Sequence, residues 1–161
     1  MRDKPDVLIY GYGNPGRCDD GLGVAFSERM GELFPGEITT DSNFQLNAED
    51  AMDISEKDIV IFADASVNNI NGFSVSLLEP DKEIGFTTHA MSPGSVLALC
   101  MEIFGKKPDT YLLEIKGEEW GLGDSLSDTG RSNLESAVEW FAPLIGNRER
   151  SGMFKAVSEL G

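Results

Sequence analysis

The chain has 161 residues and a mass of 17.5 kDa, one domain's length, and its 25% charged and 40% hydrophobic residues are the proportions of a globular protein. That balance excludes disorder, collagen-like repeats and a coiled coil. Thirteen Lys and Arg against 28 Asp and Glu give a net charge of −15, which repels nucleic acid and an anionic membrane face and favours a metal ion or a cationic protein segment.

The first predicted element is Val7-Leu8-Ile9-Tyr10, a buried strand. Four apolar residues are too few for a signal peptide, and no later run approaches the roughly 18 needed to span a membrane. Two cysteines, Cys18 and Cys100, form no disulfide framework. A cytoplasmic protein is the expectation. From Asp20 to Phe34, Leu22, Ala25, Phe26, Met30 and Leu33 recur at helical spacing, and Pro35-Gly36 stops that helix. A weaker strand follows over Ile38 to Phe44, then a short helix over Ala48 to Ile54. Ile59 to Ala63 is continuous and β-branched and is closed by Asp64, as in a strand buried on both faces.

The Asn-rich link from Ala65 to Gly72 is too short for a parallel crossover, so the strand Phe73 to Leu78 is predicted antiparallel. Ser92-Pro93 starts a helix that ends near Gly105, with Ser as cap and Pro in the first turn. Tyr111 to Ile115 is a fifth strand. Ser127 caps a last helix with Leu134, Ala137, Val138, Phe141 and Ile145 on one face, which Pro143 is predicted to kink or shorten. The pattern describes a single α/β domain over residues 1–146 and a polar tail, 147–161, that is either a docking helix or disordered.

In open α/β sheets the site lies outside the carboxyl ends of the parallel strands. Asp20 leaves the first strand's loop, Asp64 leaves the third strand, and His89, the only histidine, precedes the helix from Pro93 on the same edge. An imidazole with two carboxylates suits a divalent transition metal or an activated water. The alternatives are plain: Asp20 caps the first helix, Asp64 caps a turn, and His89 is polar surface. Gly11, Gly13 and Gly16 also form a G-x-G-x-x-G pattern, the mark of a dinucleotide-binding module or reductase. Against it, Asp19 and Asp20 sit where a pyrophosphate would rest. A Cys18–His89 nucleophile pair is a further reading, disfavoured by the same two carboxylates.

Gly11-Tyr12-Gly13-Asn14 with Asp19-Asp20-Gly21-Leu22-Gly23 resembles the opening signature of the NiFe-hydrogenase maturation endopeptidases. Ile61-Phe62-Ala63-Asp64-Ala65 and Thr88-His89-Ala90-Met91-Ser92 resemble that family's second and third motifs, and Glu118-Glu119-Trp120-Gly121 with Leu126-Ser127 its loop before the last helix. The resemblance implies a three-layer α/β fold, with a mostly parallel five-stranded mixed sheet, one antiparallel strand and helices on both faces. It implies removal of a C-terminal extension from a hydrogenase large-subunit precursor after nickel insertion. The nickel is carried by the precursor, and Asp20, Asp64 and His89 are the metal-contacting positions. Where many members carry Glu, this chain has Asp20, one methylene shorter. Asp20, Asp64 or Asp19 is then the carboxylate that acts on the attacking water. No nucleotide is called for, and the free protein is expected to be a monomer. A noncatalytic nickel-binding protein is the remaining alternative.

Overall fold

Alternation along the strands sorts their side chains into two cores. The structure, a computed structural model, describes residues 4–84 and 90–160. Strands β1 (Val7–Tyr12), β2 (Thr39–Asn43), β3 (Ile59–Ser66), β4 (Phe73–Leu77) and β5 (Asp109–Lys116) form one sheet in the order β2-β1-β3-β5-β4. Every pair is parallel except β4 with β5, the antiparallel strand expected from its short link. Ile9 stands beside Ile61, and Ile61 beside Tyr111. With successive side chains on opposite faces, Val7, Ile9, Ile61 and Leu113 pack on one side, while Leu8, Tyr10, Val60 and Phe62 pack on the other.

Helices α1 (Leu22–Leu33), α4 (Asp128–Asn147) and α5 (Arg150–Leu160) cover the first face through Phe26, Met30, Phe141 and Met153. The second face is covered by α2 (Asp50–Ser55) and α3 (Pro93–Phe104) through Ile54, Val96 and Leu97. The three-layer mixed α/β sheet is the architecture the sequence implied. Ser92 and Ser127 cap α3 and α4 as expected, each side-chain oxygen accepting from the amide three residues on, and Gly105 closes α3 in the left-handed region at φ 63°.

Two expectations change, and the alternative left open for the tail is decided. Asp64 does not end its strand, because β3 runs two residues further, where Ala65 and Ser66 pair with Ile115 and Lys116 of β5. Pro143 does not shorten α4, which continues to Asn147. The proline deprives only the Glu139 carbonyl of its helical partner. Glu139 is exposed, and Phe141 and Ile145 keep the helix docked. The tail is a helix, α5, with Met153 and Val157 one turn apart and buried in the main core.

Candidate active site

The carboxyl ends of β1, β2, β3 and β5 share one edge, and the segment after β1 is folded tightly against it. A Cβ on Gly11 would lie 2.1 Å from the Gly23 carbonyl oxygen, and one on Gly23 would lie 2.2 Å from that of Ala63. Glycine at both positions lets the start of α1 rest directly on β1 and β3. Gly13, at φ 135°, donates its amide to the Asn43 carbonyl at 3.1 Å and so ties the loop to β2. The next amide, that of Asn14, donates to Asp20 Oδ2 at 2.8 Å. The Gly16 amide donates to Asn14 Oδ1 at 2.9 Å. Two amides that a phosphate would need are thus spent on holding Asp20 and shaping the loop, and close packing accounts for Gly11 and Gly13.

Asp64 lies in β3 beside Glu114 of β5. Burial pushes its carboxyl up to about 6, and the negative charges of Asp20 and Glu114 add to the rise. The Ala65 amide, donating to Oδ1 at 2.8 Å, and the Tyr12 hydroxyl act in the opposite direction by stabilising the anion. Burial and the Asp64 charge together push the Tyr12 phenol far above its ordinary value, so it remains a hydrogen-bond donor. Asp20 and Asp64 are therefore brought to one edge, close enough for the Asp20 charge to be felt at Asp64.

Asp19 is placed differently from its neighbour. It is 0% exposed and its carboxylate accepts four hydrogen bonds. Oδ2 takes the Glu118 amide at 2.7 Å, the Glu119 amide at 3.1 Å and the Ser127 hydroxyl at 2.6 Å, and Oδ1 takes the Ser127 amide at 2.8 Å. Burial alone would raise its carboxyl. The Ser127 and Glu118–Glu119 donors outweigh that and hold it below the usual carboxylate range. Around it, the Cys18 amide donates to the Gly123 carbonyl at 2.8 Å and the Gly123 amide to the Gly16 carbonyl at 2.9 Å. The first-strand loop and the β5–α4 loop are thereby one bonded unit, pinned at Asp19. The sequence shows the parts of this lock, the acidic pair and the Ser127 cap, but no local signal that joins them.

His89 lies outside the described residues. Close beyond it, the Met91 amide donates to the Leu46 carbonyl at 3.2 Å, which ties that part of the chain to the segment following β2. Among the described residues no group of three His, Cys, Asp or Glu side chains is arranged to hold a metal ion.

No family model matches this sequence, and no curated protein sequence matches it. Solved structures do. The NiFe hydrogenase maturation protease HycI from Thermococcus kodakarensis aligns with a TM-score of 0.70 at 25% identity, over 90% of this chain and 95% of its own. This is the fold of the NiFe hydrogenase maturation proteases. The hydrogenase maturating endopeptidase HybD from E. coli aligns at a TM-score of 0.66 and 24% identity, over 86% of this chain and 91% of its own. The hydrogenase 2 maturation peptidase from Thaumarchaeota archaeon SCGC_AB-539-E09 also aligns at 0.66, with 23% identity, over 89% of this chain and 99% of its own. The maturation-protease likeness first carried by short motifs thus extends over most of the chain, and in this fold Asp20 and Asp64 lie on the carboxyl edge.

Proposed function

We propose that the chain is a peptide hydrolase that removes a C-terminal extension from a hydrogenase large-subunit precursor and recognises the precursor by its bound nickel. The observation that carries this reading is a pair of interacting carboxylates, Asp20 and Asp64, on the carboxyl edge of a maturation-protease fold. Hydrolysis joins a water oxygen to the scissile carbonyl carbon and breaks the C–N bond, and the proton lost by water must reach the departing amine. We assign the base to Asp64, which the Tyr12 hydroxyl orients and which can take the proton on the carboxylate oxygen it does not use for the metal. Asp20 and His89 join Asp64 in contacting the nickel that arrives with the substrate. Docking on the metal fixes the scissile bond against the sheet edge, an orientation effect. Asp19 is a positioning residue that acts through the loop bearing Asp20.

A dinucleotide-binding module receives less support, because the Asn14 amide, which would face a pyrophosphate, already serves Asp20. No helix among the described residues is long and apolar enough to cross a membrane. A cytoplasmic location, in keeping with free Cys18 and Cys100, belongs to the same proposal. The test is to incubate the protein with nickel-loaded and with nickel-free precursor and to weigh the large subunit by mass spectrometry. Only the loaded precursor should lose its extension. Equal trimming of both would remove nickel recognition from the reading, and trimming of neither would leave a noncatalytic binding protein.

A further inference from the structure

Among the described residues, the three most exposed large hydrophobic side chains are Leu122 at 86%, Val67 at 71% and Phe44 at 69%. All three stand on the carboxyl edge. Phe44 follows the last residue of β2, Val67 follows the last residue of β3, and Leu122 lies in the loop that leaves β5. The order β2-β1-β3-β5 spreads them over three strand spacings, roughly 14 Å at ~4.8 Å each. Asp20 follows β1 and Asp64 lies in β3, so both carboxylates fall within that span.

The segments that carry these side chains are held in place. The Asn43 carbonyl accepts from Gly13 at 3.1 Å, the Ser66 carbonyl accepts from Gly117 at 3.0 Å, and Gly123 is bonded to Gly16 and Cys18. Exposed hydrophobics scattered singly need no explanation, but apolar groups gathered around one site mark an interaction surface. Other exposed hydrophobics, such as Met101 and Ile103 on α3 or Phe154 on α5, lie on helices and not on the carboxyl-edge loops. The same edge is also acidic, with Glu114, Glu118, Glu119 and Asp124 added to Asp20 and Asp64. Lys116, one of the few cations there, is engaged by the Asn68 carbonyl at 2.7 Å.

We propose that Phe44, Val67 and Leu122 form a docking rim for the folded body of the protein substrate, which delivers its C-terminal segment to Asp20 and Asp64 between them. This rests on the reading of the chain as a precursor-trimming peptidase. Side chains on three separate loops around a central pair of carboxylates suit a protein surface, and the acidic groups among them call for one that sets basic side chains beside its apolar patches. Such a contact contributes to binding and not to the bond-breaking step, so it acts on KM.

The test is a triple variant, Phe44→Ser with Val67→Ser and Leu122→Ser, whose fold is checked by its thermal melt. Steady-state trimming of the nickel-loaded large-subunit precursor is followed by intact mass. The rim predicts a KM raised about tenfold or more with kcat within about twofold of the parent. An unchanged KM beside an active parent overturns the rim alone, whereas a parent that trims no precursor overturns the peptidase reading and the rim with it. Sedimentation showing that the parent self-associates and the triple variant does not would assign these residues to a second copy of the chain and also overturn the proposal.

Discussion

Asp19, Asp20 and Asp64 are the same side chain in three settings, and their surroundings give each a different character. Asp19 is an anion fully satisfied by donors from residues about a hundred positions away. Asp19→Asn turns one of its two acceptors into a donor facing donors, which leaves buried groups unpaired at a cost of about 2–4 kcal/mol. Its carboxyl lies below the usual carboxylate range, so the stability it contributes is present above that range and is lost as pH falls through its folded value. Asp64 has the opposite sign. Its carboxyl is raised from 3.8 to about 6, so its ionisation lowers stability as pH climbs through that interval, and the cost is complete above it. Urea unfolding between pH 4 and pH 7 tests the Asp64 dependence, and unfolding at pH 7 tests the Asp19 contribution. Asp64→Asn should be more stable than the parent at pH 7, with the difference shrinking towards pH 4, while Asp19→Asn should unfold at lower urea at pH 7. Coincident midpoints for all three proteins would contradict this division. The sequence made Asp20 and Asp64 legible as edge carboxylates through strand polarity. The character of Asp19 was illegible because nothing local to it names Glu118, Glu119 or Ser127 as partners.

At the scale of elements, local chemistry read well wherever it was sufficient. The caps of α3 and α4 and the antiparallel β4 follow from a serine, a proline or a short link. Where tertiary packing decides, local signals misled. Pro143 reads as a residue that kinks or shortens its helix, yet α4 is not shortened, and buried side chains on either side of the proline hold it to the core. The tail leaves a docking helix and disorder equally open in the sequence, and burial of Met153 and Val157 in the core decides for the helix, α5. Met153 is 1% exposed, so Met153→Ala should cost about 2–5 kcal/mol in urea unfolding. Trimming should persist while the variant remains folded, because Met153 belongs to the packed core. An unchanged unfolding midpoint would mean that α5 is not part of the cooperative unit.

Across the whole molecule, the sheet gathers chemistry at one edge that the sequence distributes over a span of 108 positions, from Asp19 to Ser127. The first-strand loop brings Asp20, β3 brings Asp64, and the β5–α4 loop locks the arrangement through Asp19. The net charge of −15 and the acidic edge suit a cationic protein surface better than nucleic acid. The central claim is that these edge carboxylates cut a precursor. It is tested most directly by the intact mass of the nickel-loaded large-subunit precursor after incubation with the parent, Asp64→Asn and Cys18→Ser proteins side by side. Loss of the C-terminal extension with the parent and with Cys18→Ser, beside an untrimmed precursor with folded Asp64→Asn, is the predicted result. Full trimming by Asp64→Asn, with none by a folded Cys18→Ser, would contradict the account and assign the chemistry to the thiol.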